Sequence, residues 1–363
     1  MSTPHWSRGL QRAWLRRGML AWLLLPFALV PWTWLGVQRA LYRLGALSSE
    51  RLPVPVVVVG NLIVGGAGKT PTVMAVVSLL RQQGYTPGVI SRGYGRQADD
   101  VLDVQPDTPV QHSGDEPLLL RLRCGVPVVV GRDRVAAGQH LLALHPAVNI
   151  IVSDDGLQHL RLARDVQVLV FDERGAGNGW LLPAGPLREP MPAMPPAESV
   201  VVYNATSPST PWPGACVQRS LGGVVLLRDW WAGQPASTHA LIALQQATVT
   251  AAAGMARPER FFTMLRAAGL RLLPLPLPDH HDFSTLPWPA HTADVIVTEK
   301  DAVKLDPARM GRTRVWVAPL NFGLNADSSD ALLARLPSPA PAGPAPRPPP
   351  KPPPRSPHGQ PIA

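Results

Sequence analysis

A short, nearly continuous apolar run, Val54 to Val59, is followed at once by Gly60-Asn-Leu-Ile-Val-Gly-Gly-Ala-Gly-Lys-Thr-Pro71. The run reads as a strand buried on both faces, and a strand of that kind needs helices on both sides of a parallel sheet. The segment after it reads as a turn into a helix whose first turn holds Pro71. Gly65, Gly66 and Gly68 let the backbone aim its N–H groups inward around phosphate oxygens, and the helix N-terminus adds a favourable field. Ile63, Val64, Gly65, Gly66, Ala67, Gly68, Lys69 and Thr70 form the candidate phosphate loop, with Lys69 neutralising phosphates and Thr70 placing its hydroxyl on a magnesium ion. A strict GxxxxGK[ST] pattern would carry glycine where Ile63 stands, so the match is shifted. The bland alternative is an ordinary glycine-rich turn.

Further strand candidates are Gly88–Ile90, Val126–Val130, Asn149–Ser153, Val166–Phe171 and Ser199–Tyr203, with helical stretches at Pro71–Gln83 and Val135–Leu144. That alternation predicts an α/β fold, a doubly wound parallel sheet like that of P-loop NTPases. A second set follows: Leu241–Leu244, a helix near Pro258–Ala268, then Leu270–Leu275, Asp294–Thr298 and Arg314–Ala318. It predicts a second, smaller α/β domain. The expected division is 1–51 as a membrane-anchoring segment, 52–225 as the core, 226–336 as the smaller domain and 337–363 as a tail. The core boundary falls somewhere between about 205 and 240.

Charge locates the ends. The net charge is +9, of which residues 1–51 carry +6 and residues 337–363 carry +3, leaving the body neutral. A nucleic-acid-binding face in the body is therefore not expected. Gly18 to Val37 holds no charged residue and would be roughly 30 Å long as a helix, the thickness of a bilayer core. Pro26 and Pro31 are expected to interrupt it, and arginines flank both sides. This favours a segment dipped into one leaflet, with Trp14, Trp22, Trp32 and Trp34 at interfacial depth. A cleaved signal peptide fits less well, since no small-residue cleavage site follows. The tail holds 13 of the 43 prolines and is expected to be disordered. Cys124 and Cys216 form no metal-binding cluster and suit a reducing compartment.

A phosphate loop needs an acid to organise a metal. Asn149-Ile-Ile-Val-Ser-Asp-Asp-Gly156 supplies one, with Asp154 and Asp155 at a strand's carboxyl end. A solvated Asp-Gly turn is the bland reading. Further segments follow: Ser-Arg-Gly-Tyr-Gly-Arg at 91–96, Gly-Asp-Glu-Pro at 114–117, Gly-Arg-Asp-Arg at 131–134 and Asp-Asp-Gly-Leu-Gln-His at 154–159. Leu-Leu-Pro-Ala-Gly-Pro-Leu-Arg-Glu-Pro stands at 181–190, Ala-Gly-Met-Ala-Arg-Pro-Glu-Arg-Phe-Phe at 253–262, Asp-His-His-Asp-Phe at 279–283 and Thr-Glu-Lys-Asp-Ala-Val-Lys at 298–304. In this order, from about residue 15 to about 325, they resemble the tetraacyldisaccharide 4′-kinase family.

The resemblance implies transfer of the γ-phosphate of ATP, with Mg²⁺, to the 4′-hydroxyl of a tetraacylated glucosamine disaccharide 1-phosphate. The product would be lipid IVA, a step of lipid A biosynthesis. It implies the cytoplasmic face of a Gram-negative inner membrane, a membrane surface as partner, no nucleic acid and no obligate protein partner. Asp115 and His280 match the family's catalytic pair, with His280 approaching the hydroxyl proton and Asp115 orienting its ring. His281 adjoins His280, and the sequence leaves open which imidazole faces the site. Asp115 alone could also cap the helix that follows it.

Thr70, Asp154 and Asp155 are the metal candidates. Gln158 and His159 stand nearby as substrate or supporting residues. Arg92, Tyr94, Arg132 and Arg134 are candidates for phosphate or nucleotide, because guanidinium forks suit phosphate. Glu299, Lys300 and Asp301 are expected to line the cleft, with Glu299 or Lys300 closing on the nucleotide. A rival reading is a membrane-bound ATPase or GTPase switch. Thr298-Glu-Lys-Asp301 is its best support, being close to a guanine-recognition motif.

Overall fold

A computed structural model describes residues 14–339. The apolar run forms β1 (Val56–Gly60), all of it buried. Around it stand β2 (Pro87–Ser91), β3 (Leu102–Asp103), β4 (Val128–Val130), β5 (Ile150–Asp154), β6 (Val166–Asp172), β7 (Ser199–Asn204) and β8 (Ala215–Cys216). Their order across the sheet is β3-β4-β2-β5-β1-β6-β7-β8. Every pairing is parallel except β3 with β4. The chain leaves β1 toward β2 on one side and later returns past it to β6 on the other. Its switch point thus lies at β1 and β5, where ligands of such sheets bind.

Register sets what stands at that edge. Val59 lies opposite Asp154, and Ile90 opposite Ser153, so Gly60, Asp154 and Ser91 end side by side. Asp172 lies opposite Asn204 on the other flank. After the N-terminal helix α1 (Met19–Arg43), the helices α2 (Lys69–Gln82), α3 (Asp115–Cys124) and α4 (Arg134–Leu144) pack on this sheet. In α2, Val73, Val76, Val77 and Leu80 are buried, the spacing of one helix face.

A second sheet has the order β10-β14-β13-β11-β12, from β10 (Val225–Leu226), β11 (Thr248–Ala253), β12 (Arg271–Pro276), β13 (Asp294–Val297) and β14 (Arg314–Val317). Only β10 runs antiparallel. β12 is an exposed edge, which is where its Pro274 and Pro276 are tolerated. A two-stranded sheet, β9 (Gln218–Leu221) with β15 (Leu320–Gly323), completes the strands. One apolar cluster runs from Val57 and Val152 through Leu118 and Leu120 into Val295, Val297 and Val315, so the two sheets share a core.

Two expectations are corrected. Leu241–Leu244 is the end of a helix, α5 (Thr238–Leu244), and the strand is Thr248–Ala253, whose three alanines hide it from a propensity reading. Pro26 and Pro31 do not break the N-terminal segment, which is one helix, α1 (Met19–Arg43). Within it the Thr33 hydroxyl donates to the Leu29 and Val30 carbonyls at 2.9 Å each, the ordinary back-bond of a helical threonine. Trp22, Leu23, Phe27, Val30, Trp32 and Trp34 are all exposed. The helix is long and apolar enough to cross a membrane, and a window of it is only 11% buried. The expected disordered tail lies outside the described residues save for 337–339, where the Tyr85 hydroxyl donates to the Pro337 carbonyl.

Candidate active site

Residues 61–68 link β1 to α2 as a loop pinned at several points. Ile63 is fully buried and bridges Leu187, and the Val64 N–H donates to the Pro186 carbonyl at 2.9 Å. Ala67 is buried, and its carbonyl accepts from Asn204 Nδ2 at 3.1 Å. Arg174 donates to the Val64 carbonyl at 2.9 Å. Gly65 and Gly66 are exposed. Gly68 has φ +94°, and a Cβ there would lie 2.2 Å from Asn204 Nδ2. Glycine is therefore required twice over at 68, by conformation and by space. Lys69 Nζ donates to Asn61 Oδ1 at 3.2 Å and lies 3.6 Å from Asp155.

The two aspartates at the end of β5 differ in environment. Asp154 is buried and accepts from the Ser91 hydroxyl at 3.1 Å, while its Oδ1 has no hydrogen-bond partner. Burial, then the nearby Glu116 and Asp155 carboxylates, push its pKa well above the usual range, and Lys69 offsets this only in part. Asp155 takes a left-handed backbone, φ 49°, which turns its carboxylate to Lys69 and to Arg188 at 2.9 Å. Burial would raise its pKa, but Lys69 and Arg188 outweigh that and hold it low.

Across the cleft the carboxyl ends of the second sheet meet the first. The loop after β12 carries His280, itself left-handed at φ 58°, and its Nδ1 lies 2.9 Å from Asp115 Oδ2 at the start of α3. Strain of this kind at a non-glycine residue persists only where surrounding contacts hold it. Asp115 is buried, which alone would raise its pKa, but the His280 hydrogen bond with Lys300 and Lys304 brings it below the ordinary value. The Asp115 hydrogen bond raises His280, against burial and Lys300. Of the two adjoining imidazoles, His281 turns away: its Nδ1 accepts from the Phe283 N–H at 3.1 Å. A cavity of about 540 Å³ opens here, lined among others by Tyr94, Asp115, His280 and Lys304. A larger one, about 920 Å³, lies between α2 and the β9–β15 pair and holds none of these groups.

The remaining candidates divide. The Tyr94 ring is exposed and stands 5.4 Å from the His280 ring. Arg92 is exposed, close enough to Arg134 to disfavour its charge. Gln158 bridges Arg188 at 3.0 Å and Glu189 at 2.9 Å, so it supports the Asp155 side of the site. His159 lies behind the pair, against the Arg134 N–H at 3.4 Å and Asp133 at 3.6 Å. Arg132 is not brought in: its exposed guanidinium pairs with Asp99 at 2.7 Å. Arg134 is 3% exposed and donates to the Gly131 and Asp155 carbonyls, a brace behind the carboxylates. Glu299 is buried against Arg123 and Trp230, and Asp301 accepts from Gly254 N–H, Thr298 Oγ1 and Lys304, so neither faces the cleft. Lys300 does, 3.0 Å from Glu116 and 3.3 Å from His280 Nε2.

Sequence reasoning missed Asn61, Ser91, Glu116, Arg174, Arg188 and Glu189. Glu116 and Arg188 stand inside motifs already noted, Gly-Asp-Glu-Pro and Leu-Arg-Glu-Pro, and that was the available signal. Among the described residues no three His, Cys, Asp or Glu side chains group as a metal cage. A magnesium ion needs less, one or two carboxylates with water and phosphate oxygens. The buried, unpartnered Asp154 Oδ1 beside Asp155 fits that demand.

The family model described as tetraacyldisaccharide-1-P 4′-kinase matches residues 20–337. A tetraacyldisaccharide 4′-kinase of Leptothrix cholodnii is 55% identical over 336 residues, 92% of this chain and 97% of that one. One from Methylibium petroleiphilum is 57% identical over 318 residues, 86% of this chain and 89% of that one. A crystal structure of an "apo" form LpxK from Aquifex aeolicus in complex with ATP superposes with a TM-score of 0.71 at 27% identity, covering 88% of this chain and 100% of that one. With a glycine-rich loop leading into α2, an aspartate pair at its side and an Asp–His pair across the cleft, the chain belongs to the tetraacyldisaccharide-1-P 4′-kinase family, and it is a kinase.

Proposed function

We propose that the chain transfers the γ-phosphate of ATP to the 4′-hydroxyl of a tetraacylated glucosamine disaccharide 1-phosphate, yielding lipid IVA for lipid A. The observation that carries this reading is the adjacency of Asp115 and Glu116. The first holds His280, and the second lies close enough to Asp154 to raise its pKa. The hydroxyl-activating pair and the phosphate side of the site thereby share one helix start.

The loop N–H groups and Lys69 hold the β- and γ-phosphates. Thr70, Asp154 and Asp155 would hold Mg²⁺, which when bound neutralises charge on the phosphate oxygens. His280 Nε2 takes the 4′-hydroxyl proton as the sugar oxygen bonds to the γ-phosphorus and the bond to the β-phosphate oxygen breaks, releasing ADP. Tyr94 and Arg92 stand at the rim, where they contact the sugar or the nucleotide. Residues 226–336 act as the smaller unit that covers the 52–225 core and limits access of water. Segment 1–51 seats the enzyme on the cytoplasmic face of the inner membrane, where a four-chain lipid is met.

The switch reading loses its best support, since the Asp301 carboxylate is occupied by Gly254, Thr298 and Lys304. The test is transfer of label from γ-labelled ATP to tetraacyldisaccharide 1-phosphate in detergent micelles with Mg²⁺, with Lys69→Ala as control. Labelled lipid that disappears in the variant supports the proposal. Labelled inorganic phosphate without labelled lipid supports an ATPase.

A further inference from the structure

Lys300 is held between two carboxylates, one of which, Asp279, also lies 3.9 Å from His280 Nε2. Its ammonium lies 3.0 Å from Glu116 and 3.6 Å from Asp279, and it stands 3.3 Å from His280 Nε2. An ammonium only donates, so the Nε2 it faces must carry a lone pair. The imidazole proton is then on Nδ1, where Asp115 Oδ2 accepts it at 2.9 Å. Asp115 alone does not secure this state. A carboxylate on Nδ1 favours the doubly protonated ring as well, and a protonated ring is no base. An Nε2–H would point at the Lys300 ammonium across 3.3 Å, donor against donor and cation against cation.

Resting on the base role proposed for His280, we infer that Lys300 is a positioning residue that keeps this ring neutral, with its Nε2 lone pair available to the substrate hydroxyl. Asp115 orients the ring, and Lys300 opposes the proton-favouring pull of Asp115 and Asp279 at Nε2. Glu116 holds the lysine at the distance where it can do so. The hydroxyl takes over the Nε2 lone pair from the Lys300 N–H when it binds.

The charged and titratable groups facing His280 are Asp115 and Glu116 from α3, Lys300 and Lys304 from the segment after β13, Tyr94 from the loop after β2, and Asp279 from its own loop. Burial works against a charged Lys300, but Glu116, Asp115 and Asp279 outweigh it and keep it protonated. Lys304 lies 3.9 Å from Asp115 and is held by Asp301 at 3.2 Å, so Lys300 alone of the two meets the ring nitrogen.

The experiment follows the ¹⁵N shifts of His280 in the full chain in micelles for the parent, Lys300→Met and Lys300→Arg, together with kcat/KM from pH 5.5 to 9 for these and for His280→Gln. In Lys300→Met the Nε2 protonation midpoint is expected to rise. Activity falls roughly tenfold near pH 6.5, narrowing to under about threefold at pH 8.5. Lys300→Arg restores the acid limb. Should Lys300→Met not fold, Lys300→Gln gives the same reading. An unmoved midpoint with a pH-independent loss overturns the inference and leaves Lys300 a simple ion pair, provided His280→Gln is nearly inactive. Full turnover by His280→Gln overturns the base role itself, and the inference with it.

Discussion

His280 Nδ1 and the Asp115 carboxylate, 165 residues apart in the chain, meet at 2.9 Å where the carboxyl ends of two sheets face each other. The pair makes a pH-dependent contribution whose sign differs for its two members. His280 is raised above 6.5 by Asp115, so its share of stability is full below 6.5 and is lost as pH rises through the folded value. Asp115 is held below 3.8, against its burial, by His280 and the lysines, so its share is present above 3.8 and lost as pH falls through the folded value. The difference in urea midpoint between the parent and His280→Gln is therefore expected to be greatest between 3.8 and 6.5. Under the base role proposed for His280, activity has the opposite trend, because a base must be neutral. His280→Gln should lose about 10²-fold or more in kcat, and Asp115→Asn should move the acid limb of kcat/KM downward while lowering its plateau.

Gly68 and Gly65 allow a controlled comparison. Both have positive φ, +94° and +91°, but a Cβ at 68 meets Asn204 at 2.2 Å whereas one at 65 meets only Arg174 Nη1 at 3.4 Å. Gly68→Ala should weaken nucleotide binding by on the order of 100-fold, and Gly65→Ala by roughly tenfold from backbone strain alone. Titration of a fluorescent ATP analogue reads both.

Asp172, wholly buried at the end of β6, gathers Arg174 at 3.0 Å with Arg257 at 3.6 Å and Arg260 at 3.8 Å from the second sheet's side. Neighbouring Glu173 pairs with the same two arginines. Asp172→Asn leaves three guanidinium groups converging on a neutral amide and should cost about 3 kcal/mol in urea unfolding. The exposed Arg132–Asp99 pair is the control, and Asp99→Asn should cost under about 0.5 kcal/mol. Loss of the same size for both would show that burial does not govern these pairs.

Helix α1 presents Phe27 and Trp34 at 64% and 69% exposure. If that face meets lipid, the double variant Phe27→Ser, Trp34→Ser should bind vesicles with anionic lipid about 100-fold more weakly, at about 3 kcal/mol for two large apolar side chains. Sedimentation with vesicles checks this, and unchanged partition would place the contact elsewhere on the helix.

What the chain decided by itself is what local patterns encode. The valine-rich runs at 56–60 and 166–170 read as strands buried on both faces, and the glycines and Lys69 that follow the first read as a candidate phosphate loop at the start of a helix. The apolar helix at the N-terminus was equally plain, although its prolines misled, because the helix runs unbroken through Pro26 and Pro31. Tertiary structure decided everything that depends on where side chains from distant segments point. Lys300 and Arg188 entered the site while Arg132, Glu299 and Asp301 went elsewhere, though all five are charged and stand in similar motifs. The left-handed backbone of His280 itself set the two adjoining rings apart, the first at Asp115 and the second accepting from the Phe283 N–H. Strand register and backbone handedness are cooperative properties of the folded sheets, and no window of sequence contains them.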